Sequence, residues 1–211
     1  MIRVVIADDH TIVRDGLKHL LRAAGDIDVA GEARNGNEAL ERVRALTFDV
    51  LLMDMSMPGK SGIELIRQVH AEKPKLRILV LSMHEEHQYA VRAIRAGAAG
   101  YVTKESATLQ LVEAIRKVAG GGAFISAEVA QQLALGAMPG GDGPLHGKLS
   151  DREYQILLLI AEGKSISEIA EQLFLSVKTV STHKSNILQK MNLSTQGDLI
   201  RYAITNNLVE R

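Results

Sequence analysis

Residues 49–58 read DVLLMDMSMP and are the starting point for predicting the fold of the first half of the chain. A short, mostly apolar run covers residues 49–53 and stops at the charged Asp54, which is typical of a strand buried on both faces. Similar runs lie at residues 2–7, 77–82 and 100–102, with a weaker one at residues 28–33. The pattern therefore predicts five short strands.

The segments between these runs carry apolar residues at helical spacing. Such residues recur at Val13, Leu17, Leu20 and Leu21, and again at Leu111, Val112, Ile115 and Val118. Strands that alternate with helices are joined by right-handed crossovers, which build a parallel sheet covered by helices on both faces. We therefore predict an α/β domain with a five-stranded parallel sheet over residues 1–120.

A segment rich in glycine and proline separates this half from the rest of the chain. Residues 136–147 cannot hold a regular helix or bury much apolar surface, so we predict a flexible linker there. A helix at residues 127–135 precedes it, and the linker region as a whole covers residues 121–148. We predict a small all-α domain over residues 149–211, with helices at residues 152–162, 166–173, 177–191 and 195–206.

The composition excludes several classes of protein. The 211 residues are 46% hydrophobic and 24% charged, which indicates two packed domains rather than a disordered chain. Cysteine is absent, which excludes a disulfide framework and thiolate chemistry. The sequence has no run of about 20 apolar residues and no signal-peptide pattern, so we expect a cytoplasmic protein that does not interact with the membrane.

The net charge is zero, but the charges are unevenly distributed. No acidic residue occurs between Glu171 and Asp198, whereas Lys178, Lys184 and Lys190 recur in that interval. This pattern indicates a locally basic segment near the end of the chain, for which a solvated helix face is the alternative interpretation.

Five polar residues occur where the predicted strands end. They are Asp8 and Asp9 after the first strand, Asp54 after the third, Ser82 at the end of the fourth and Lys104 beyond the fifth. Ligands bind open parallel sheets at this edge, so we expect the five side chains to converge. Neighbouring carboxylates repel one another unless a cation offsets their charge, and oxygen ligands of this kind favour Mg²⁺. Each residue alone could equally be a turn, a cap or a surface residue, so the prediction depends on their convergence.

This set of residues predicts phosphoryl transfer to the protein itself. A carboxylate beside Mg²⁺ can attack phosphorus and form an aspartyl phosphate, and Asp54 is the candidate nucleophile. Lys104 would bring a positive charge to one phosphoryl oxygen, and Ser82 would donate a hydrogen bond to another. A metal-dependent phosphohydrolase is the alternative, although the sequence offers neither a substrate pocket nor a second general base.

Four motifs mark the first half of the chain. They are Asp8-Asp9-His10, Asp54-Met55-Ser56-Met57-Pro58 with Gly62, Ser82, and Gly100-Tyr101-Val102-Thr103-Lys104. Together they resemble the receiver signature of two-component response regulators, and the resemblance implies a flavodoxin-like, doubly wound domain with Asp54 as the phosphoacceptor. It also implies a Mg²⁺ site and a switch pair. The implied metal ligands are Asp9, Asp54 and the Ser56 carbonyl, with Asp8 acting through water, and the implied switch pair is Ser82 and Tyr101.

The second half contains a short helix, a tight turn and a longer helix, which is the order of a helix-turn-helix. The second helix of that motif enters the major groove of DNA with its N-terminal residues facing the bases. An ordinary amphipathic helix in a helical bundle is the alternative. The side chains that the apolar pattern leaves outward suit phosphates and base edges. They are Lys178, Thr179, Ser181, Thr182, Lys184 and Ser185.

Four stretches of the second half carry another resemblance. They read LSDRE at residues 149–153, IAEG at 160–163, EIA at 168–170 and FLSVKTVSTH at 174–183. They resemble the LuxR-type helix-turn-helix, and the two halves together resemble the NarL/FixJ family. This resemblance places Lys178, Thr179, Ser181, Thr182 and Ser185 at DNA-facing positions. It also implies that the last helix dimerises through Leu199, Ile200, Ala203 and Ile204, for which core packing is the alternative.

The two resemblances imply a bacterial transcription factor controlled by phosphorylation rather than a turnover enzyme. A sensor histidine kinase would phosphorylate Asp54, and the modified chain would form a homodimer on double-stranded DNA, with RNA polymerase as a further partner. The receiver would catalyse only its own phosphoryl transfer and slow dephosphorylation. A regulator that acts through protein contacts, without binding DNA, is the alternative.

Overall fold

The computed structural model describes residues 1–57, 62–82, 87–135, 144–206 and 208–209. The chain divides into two compact units, Met1–Gln131 and Gln132–Arg211, and each is described by itself. Pro58 of the receiver motif and most of the predicted linker segment 136–147 lie outside the described residues.

The first unit contains the five parallel strands that the sequence predicts. The strands are β1 (Ile2–Ala7), β2 (Ile27–Ala33), β3 (Val50–Asp54), β4 (Arg77–Ser82) and β5 (Gly100–Thr103). The helices between and after them are α1 (Thr11–Ala23), α2 (Gly36–Ala45), α3 (Gly62–Glu72), α4 (His87–Arg95) and α5 (Lys104–Ala119). The strand order β2-β1-β3-β4-β5 is that of a flavodoxin-like, doubly wound sheet, and it confirms the predicted fold.

Burial explains why some strands are easier to recognise in the sequence than others. All five residues of β3 are buried, so its sequence is a nearly continuous apolar run. Strand β2 lies at the edge of the sheet, and most of its side chains are only half-buried, so its apolar pattern is weaker. At the opposite edge, Phe124 pairs with Gly100, and the Tyr101 amide donates a hydrogen bond to the Phe124 carbonyl at 2.9 Å.

The second unit is helical, as predicted. Helix α6 (Ala127–Leu135) crosses the boundary between the units, and a short 3₁₀ helix covers Leu145–Lys148. The remaining helices are α7 (Asp151–Ala161), α8 (Ile166–Gln172), α9 (Val177–Met191) and α10 (Gln196–Thr205). Their bounds differ from the predicted bounds by at most one residue at either end. Among the described helices, none combines the length and the apolar character that a membrane span requires.

Hydroxyl side chains fix the starts of the helices in the second unit. Ser150 and Ser165 each form a capping box, with Glu153 and Glu168 respectively, so that hydroxyl and carboxylate satisfy backbone N–H groups at the helix start. Ser176 accepts a hydrogen bond from the Thr179 amide at 3.0 Å and thereby caps α9. The Ser176 cap therefore fixes where α9 begins.

Candidate functional site

Asp8 and Asp54 lie side by side because their strands are paired. Ala7 at the end of β1 is in register with Met53 of β3, so the two aspartates leave the same edge of the sheet. Both are buried, with exposed fractions of 0% and 2%. Burying two carboxylates is unfavourable unless other groups offset their charge, so this edge requires cations.

Lys104 supplies one of those positive charges. It is the first residue of α5, and its Nζ lies 2.8 Å from Asp8 Oδ2 and 3.1 Å from Asp54 Oδ2. Ser82 is also buried at this edge, one residue beyond Leu81, which pairs with Asp54. The structure thus brings the predicted pocket residues to one end of the sheet, where β1, β3, β4 and β5 finish.

The ionisation of the pocket follows from burial and from the shortage of positive charge. Burial raises the pKa of Asp54, and the nearby Asp8 adds to this effect, while Lys104 opposes it without cancelling it. Burial acts to lower the pKa of Lys104, but its contacts with Asp8 and Asp54 outweigh burial and raise that pKa. The raised pKa of Lys104 reflects the two carboxylates beside it, whereas the raised pKa of Asp54 reflects mainly its burial.

The donor atoms of this pocket fit a divalent cation. Asp8, Asp9, His10 and Asp54 each offer one possible ligand atom, and these atoms all lie within 4.8 Å of one another. Asp9 Oδ1 is buried and accepts no hydrogen bond, although His10 Nδ1 is 2.9 Å away. A buried carboxylate oxygen without a donor is a ready ligand, and hard oxygen donors suit Mg²⁺. His10 was not among the predicted ligands, although it directly follows Asp9 in the sequence.

Ser56 and Tyr101, the two remaining residues predicted for the receiver site, lie close in sequence to pocket residues. The Ser56 amide donates a hydrogen bond to Asp54 Oδ1 at 3.3 Å, which places the Ser56 backbone beside the carboxylate. Tyr101 lies on β5 in register with Val80 of β4, and its side chain is 9% exposed. The aromatic ring therefore lies within the fold rather than in solvent.

Arg14 supports the pocket and was missed in the sequence. It is 3% exposed, and its guanidinium donates to the Asp8 carbonyl at 2.8 Å, to Thr11 Oγ1 at 3.2 Å and to Glu32 Oε2 at 3.1 Å. Arg14 shares the buried face of α1 with Leu17 and Leu21. The guanidinium therefore fixes the backbone at the end of β1, where the acidic residues begin.

The helix α9 presents the predicted polar residues on its outer side. The side chains of Lys178, Thr179, Thr182 and Ser185 are exposed or half-buried, as are those of Ser181 and Lys184. Val180 and Ile187 are fully buried on the opposite side. Two of the hydroxyls bond within the helix, since Thr182 Oγ1 donates to the Lys178 carbonyl and Ser185 Oγ to the Ser181 carbonyl. Their oxygens still have lone pairs that can accept hydrogen bonds.

The far end of α9 is tied to the start of α7. Lys190 Nζ lies 2.7 Å from Glu153 Oε2, and the same oxygen accepts hydrogen bonds from the Ser150 amide and hydroxyl at 2.8 and 2.9 Å. Glu153 is 3% exposed although it is charged. One carboxylate thus caps α7 and holds α9 against it.

The residues proposed for dimerisation fall into two groups. Leu199 and Ala203 are completely buried, so core packing within the unit accounts for them. Ile200 and Ile204 are half-buried and retain surface that another chain could cover. The dimerisation prediction therefore depends on Ile200 and Ile204.

Comparisons with protein families match both units. Residues 4–116 match the response regulator receiver domain, and residues 147–203 match the luxR family of bacterial regulatory proteins. The first match covers β1 from Val4 onward, strands β2 to β5 and most of α5, and the second covers the helix-turn-helix.

Individual relatives match over nearly the whole chain. Response regulator UvrY of Escherichia coli strain K12 is 39% identical over 99% of this chain and 96% of its own length. Response regulator GacA of Pseudomonas aeruginosa is 37% identical over 100% of this chain and 99% of its own length.

A solved structure of a third regulator shares the fold. RcsB of Salmonella enterica serovar Typhimurium, bound to a promoter in the presence of phosphomimetic BeF3⁻, is 29% identical with a TM-score of 0.69. The match covers 95% of this chain and 97% of the RcsB chain. The chain therefore belongs to the NarL/FixJ family of two-component response regulators, in which a receiver domain is joined to a LuxR-type helix-turn-helix domain.

Proposed function

We propose that this response regulator is switched by phosphorylation of Asp54 and that the modified form binds DNA to regulate transcription. The observation that carries the proposal is the placement of Asp54 at the sheet edge, 2% exposed, with Lys104 Nζ 3.1 Å from its carboxylate. A carboxylate held in this way can attack the phosphorus of a phosphohistidine, and the imidazole of the sensor histidine kinase is the leaving group.

The proposed site includes a Mg²⁺ ion, because the three aspartate carboxylates of the pocket are matched by only one described ammonium group within bonding distance, that of Lys104. Asp9, Asp54 and the Ser56 carbonyl would hold the ion, with Asp8 contributing through water. When bound, Mg²⁺ supplies positive charge to the phosphoryl oxygens during transfer. The orphaned Asp9 Oδ1 and the grouping of carboxylate oxygens support this assignment.

The chain's own residues have distinct roles in the pocket. Lys104 bonds both Asp8 and Asp54, so its ammonium is already beside the position that a phosphoryl oxygen takes on Asp54. Ser82, buried at the end of β4, would donate its hydroxyl to another phosphoryl oxygen. The Tyr101 ring would then turn inward as the Ser82 hydroxyl moves toward the phosphoryl group, because the two residues lie on the neighbouring strands β5 and β4. The receiver would perform only its own phosphoryl transfer and slow dephosphorylation.

The second unit would carry the output. The exposed and half-buried polar residues of α9 would contact double-stranded DNA, with lysines on phosphates and hydroxyls on phosphates or base edges. Phosphorylation would favour a homodimer, and Ile200 and Ile204 of α10 would contribute to its interface. The proposed division is a receiver at 1–120, a linker region at 121–148 and a DNA-binding domain at 149–211, with RNA polymerase as a further partner.

The test compares DNA affinity and molecular mass with and without Mg²⁺ and a small phosphodonor. We expect the phosphodonor to raise both in the native chain and in Asp28→Asn, an exposed aspartate of β2, but not in Asp54→Asn. Equal affinity in all samples would show that Asp54 does not control the output. Absence of any DNA binding would favour a regulator that acts through protein contacts.

A further inference from the structure

Two exposed apolar side chains flank the start of α9. Among the described residues, the exposed large hydrophobic side chains are Met1, Ile12, Phe174 and Val177. The last two lie in the second unit, three positions apart, with exposed fractions of 68% and 51%. Val177 directly follows Ser176, which caps the helix, and Phe174 lies two residues before Ser176. We refer to Phe174 and Val177 as the apolar edge of α9.

Folding does not require an aromatic side chain at position 174. Its backbone is left-handed, with φ of 55°, a conformation that glycine or asparagine adopts with less strain. The turn itself is made by the backbone, since the Leu175 amide donates to the Ala170 carbonyl at 2.8 Å. The Phe174 ring therefore adds exposed apolar surface at a position where a polar residue would fold at least as well.

Val177 has no evident folding role either. It is the first residue of α9, where its branched side chain brings no advantage in helix propensity. The core side of the same helix is supplied by Val180, Ile187 and Met191, which are all fully buried. Half of the Val177 side chain is left in solvent at the end of the helix that a helix-turn-helix directs toward the bases.

The surroundings of the apolar edge indicate duplex DNA as its partner. Lys178 and Thr179 follow Val177 directly and are exposed, and no acidic residue occurs between Glu171 and Asp198. A basic, hydroxyl-rich rim attracts the phosphates of a nucleic acid, whereas it would repel a basic protein surface. Within the major groove, the apolar group that a protein can recognise is the C5-methyl of thymine.

We propose that Val177 reads a thymine methyl group in the major groove and that Phe174 packs beside it along the sugar edge of the same strand. The inference rests on the proposed DNA-binding function and adds a determinant of specificity to the polar residues of α9. The preference for particular DNA sequences would then come from van der Waals contact and the exclusion of water at this edge, in addition to hydrogen bonds from the polar residues.

The experiment begins with selection of tight-binding duplexes from a random pool, using the full chain with Mg²⁺ and a phosphodonor. Each thymine of the selected site is then replaced in turn by deoxyuridine, which lacks only the methyl group. At one or more positions we expect the native chain to lose about fourfold in affinity, as for one buried methyl. Val177→Ala should lose affinity for the thymine duplex and show no further loss with deoxyuridine.

Three controls separate recognition of the methyl group from other effects. Phe174→Asn tolerates the left-handed backbone, so it should weaken DNA binding without lowering the unfolding temperature. Ile12→Ala removes another exposed apolar side chain, 88% exposed and in the first unit, and should leave DNA affinity unchanged. The dependence of affinity on salt should be the same for Val177→Ala and the native chain, because valine carries no charge that could neutralise a phosphate.

The outcomes distinguish this inference from the proposed function. If the native chain binds a selected duplex but Val177→Ala binds it equally well, or keeps the full deoxyuridine effect, thymine reading by Val177 is wrong while DNA binding stands. If the native chain binds the thymine and deoxyuridine duplexes equally well and Val177→Ala weakens both by the same factor, the edge touches DNA without reading thymine, and the proposal is again overturned. If the native chain selects no duplex, both the function and the inference fail.

Discussion

Replacement of Glu153 by glutamine should destabilise the second unit because it removes one negative charge. Glu153 Oε2 accepts hydrogen bonds from Lys190 Nζ at 2.7 Å and from the Ser150 amide at 2.8 Å. Glutamine has the same size and keeps a carbonyl oxygen for the Ser150 amide, so the capping box can persist. What Glu153→Gln removes is the negative charge at a 3% exposed position, together with the ion pair to α9.

The size of the effect follows from the unequal exposure of the partners. The Lys190 side chain is 44% exposed, so water can compensate its ammonium after the substitution. A charge-assisted bond with one buried partner and one solvated partner then contributes about 1–2 kcal/mol to the free energy of unfolding. In a domain of this size, removing that contribution lowers the unfolding temperature by about 5–12 °C. Differential scanning calorimetry of the full chain measures this shift as a lower temperature for the unfolding transition of the second unit.

Glu168→Gln is the matched control. The Ser165 amide donates to Glu168 Oε2 at 2.8 Å, the same distance as in the first capping box, but Glu168 is exposed. The control should therefore shift the transition less than Glu153→Gln. Equal shifts from the two variants would refute the assignment of stability to the buried charge and its pairing with Lys190.

The stabilisation by the Glu153 carboxylate should also depend on pH, in a direction that the shift of its pKa fixes. Burial alone would raise the pKa of Glu153, but its bonds to Lys190 and Ser150 outweigh burial and leave that pKa below its ordinary value. A depressed pKa contributes stability that is present above the unfolded value and is lost as pH falls through the folded value. The difference between the native chain and Glu153→Gln should hold at neutral pH and shrink in acid, as pH falls below the ordinary range of a glutamate and through the depressed pKa of Glu153. A difference that stays constant into acid would contradict this account.

Three further substitutions test other parts of the structure. Arg14→Met should lower the free energy of unfolding of the first unit by about 2–3 kcal/mol in urea titrations, because it removes a buried cation with three hydrogen-bond partners. Gly97→Ala should destabilise the same unit by about 1–3 kcal/mol, because φ at Gly97 is +115° and the new Cβ would lie 2.6 Å from His70 Cγ. The control is Gly16→Ala, whose new Cβ would meet nothing within 4 Å, so it should be neutral or stabilising. Lys184→Ala should weaken DNA binding and reduce the slope of log affinity against log salt by about 0.9 for each phosphate that the lysine neutralises, as anisotropy titrations over a salt series can measure.

The elements of this fold are predictable where one physical requirement dominates. Strand β3 is buried on both faces, so its sequence has to be apolar until the point where Asp54 enters the pocket. The bounds of α8 and α9 are predictable because Ser165 and Ser176 cap them, and Gly163, with φ of +87°, ends the preceding turn. Strand β2 gives a weaker signal because an edge strand does not require a continuous apolar run.

Contacts between distant charged residues could not be predicted from the sequence. Arg14 occupies a helical position that periodicity would assign to an apolar residue, and only the fold brings the Asp8 carbonyl and Glu32 to it. The pairing of Glu153 with Lys190 joins residues 37 positions apart and depends on how α7 packs on α9. Periodicity identifies the face of a helix that is buried, but it does not identify the partner of a charge on that face.

The position of Lys104 connects the chemistry of the pocket to the rest of the receiver. Its ammonium bonds Asp8 and Asp54 together, so a phosphoryl group on Asp54 would change the charge that holds this side chain in place. Lys104 is also the first residue of α5 and directly follows β5, on which Tyr101 lies. A change in its bonding therefore acts on the junction of β5 and α5 without any intermediate side chain. Because the pocket is buried, a doubly charged phosphoryl group on Asp54 would have to be offset by Lys104 and the proposed Mg²⁺ rather than by solvent, which would draw Lys104 away from its present bonds.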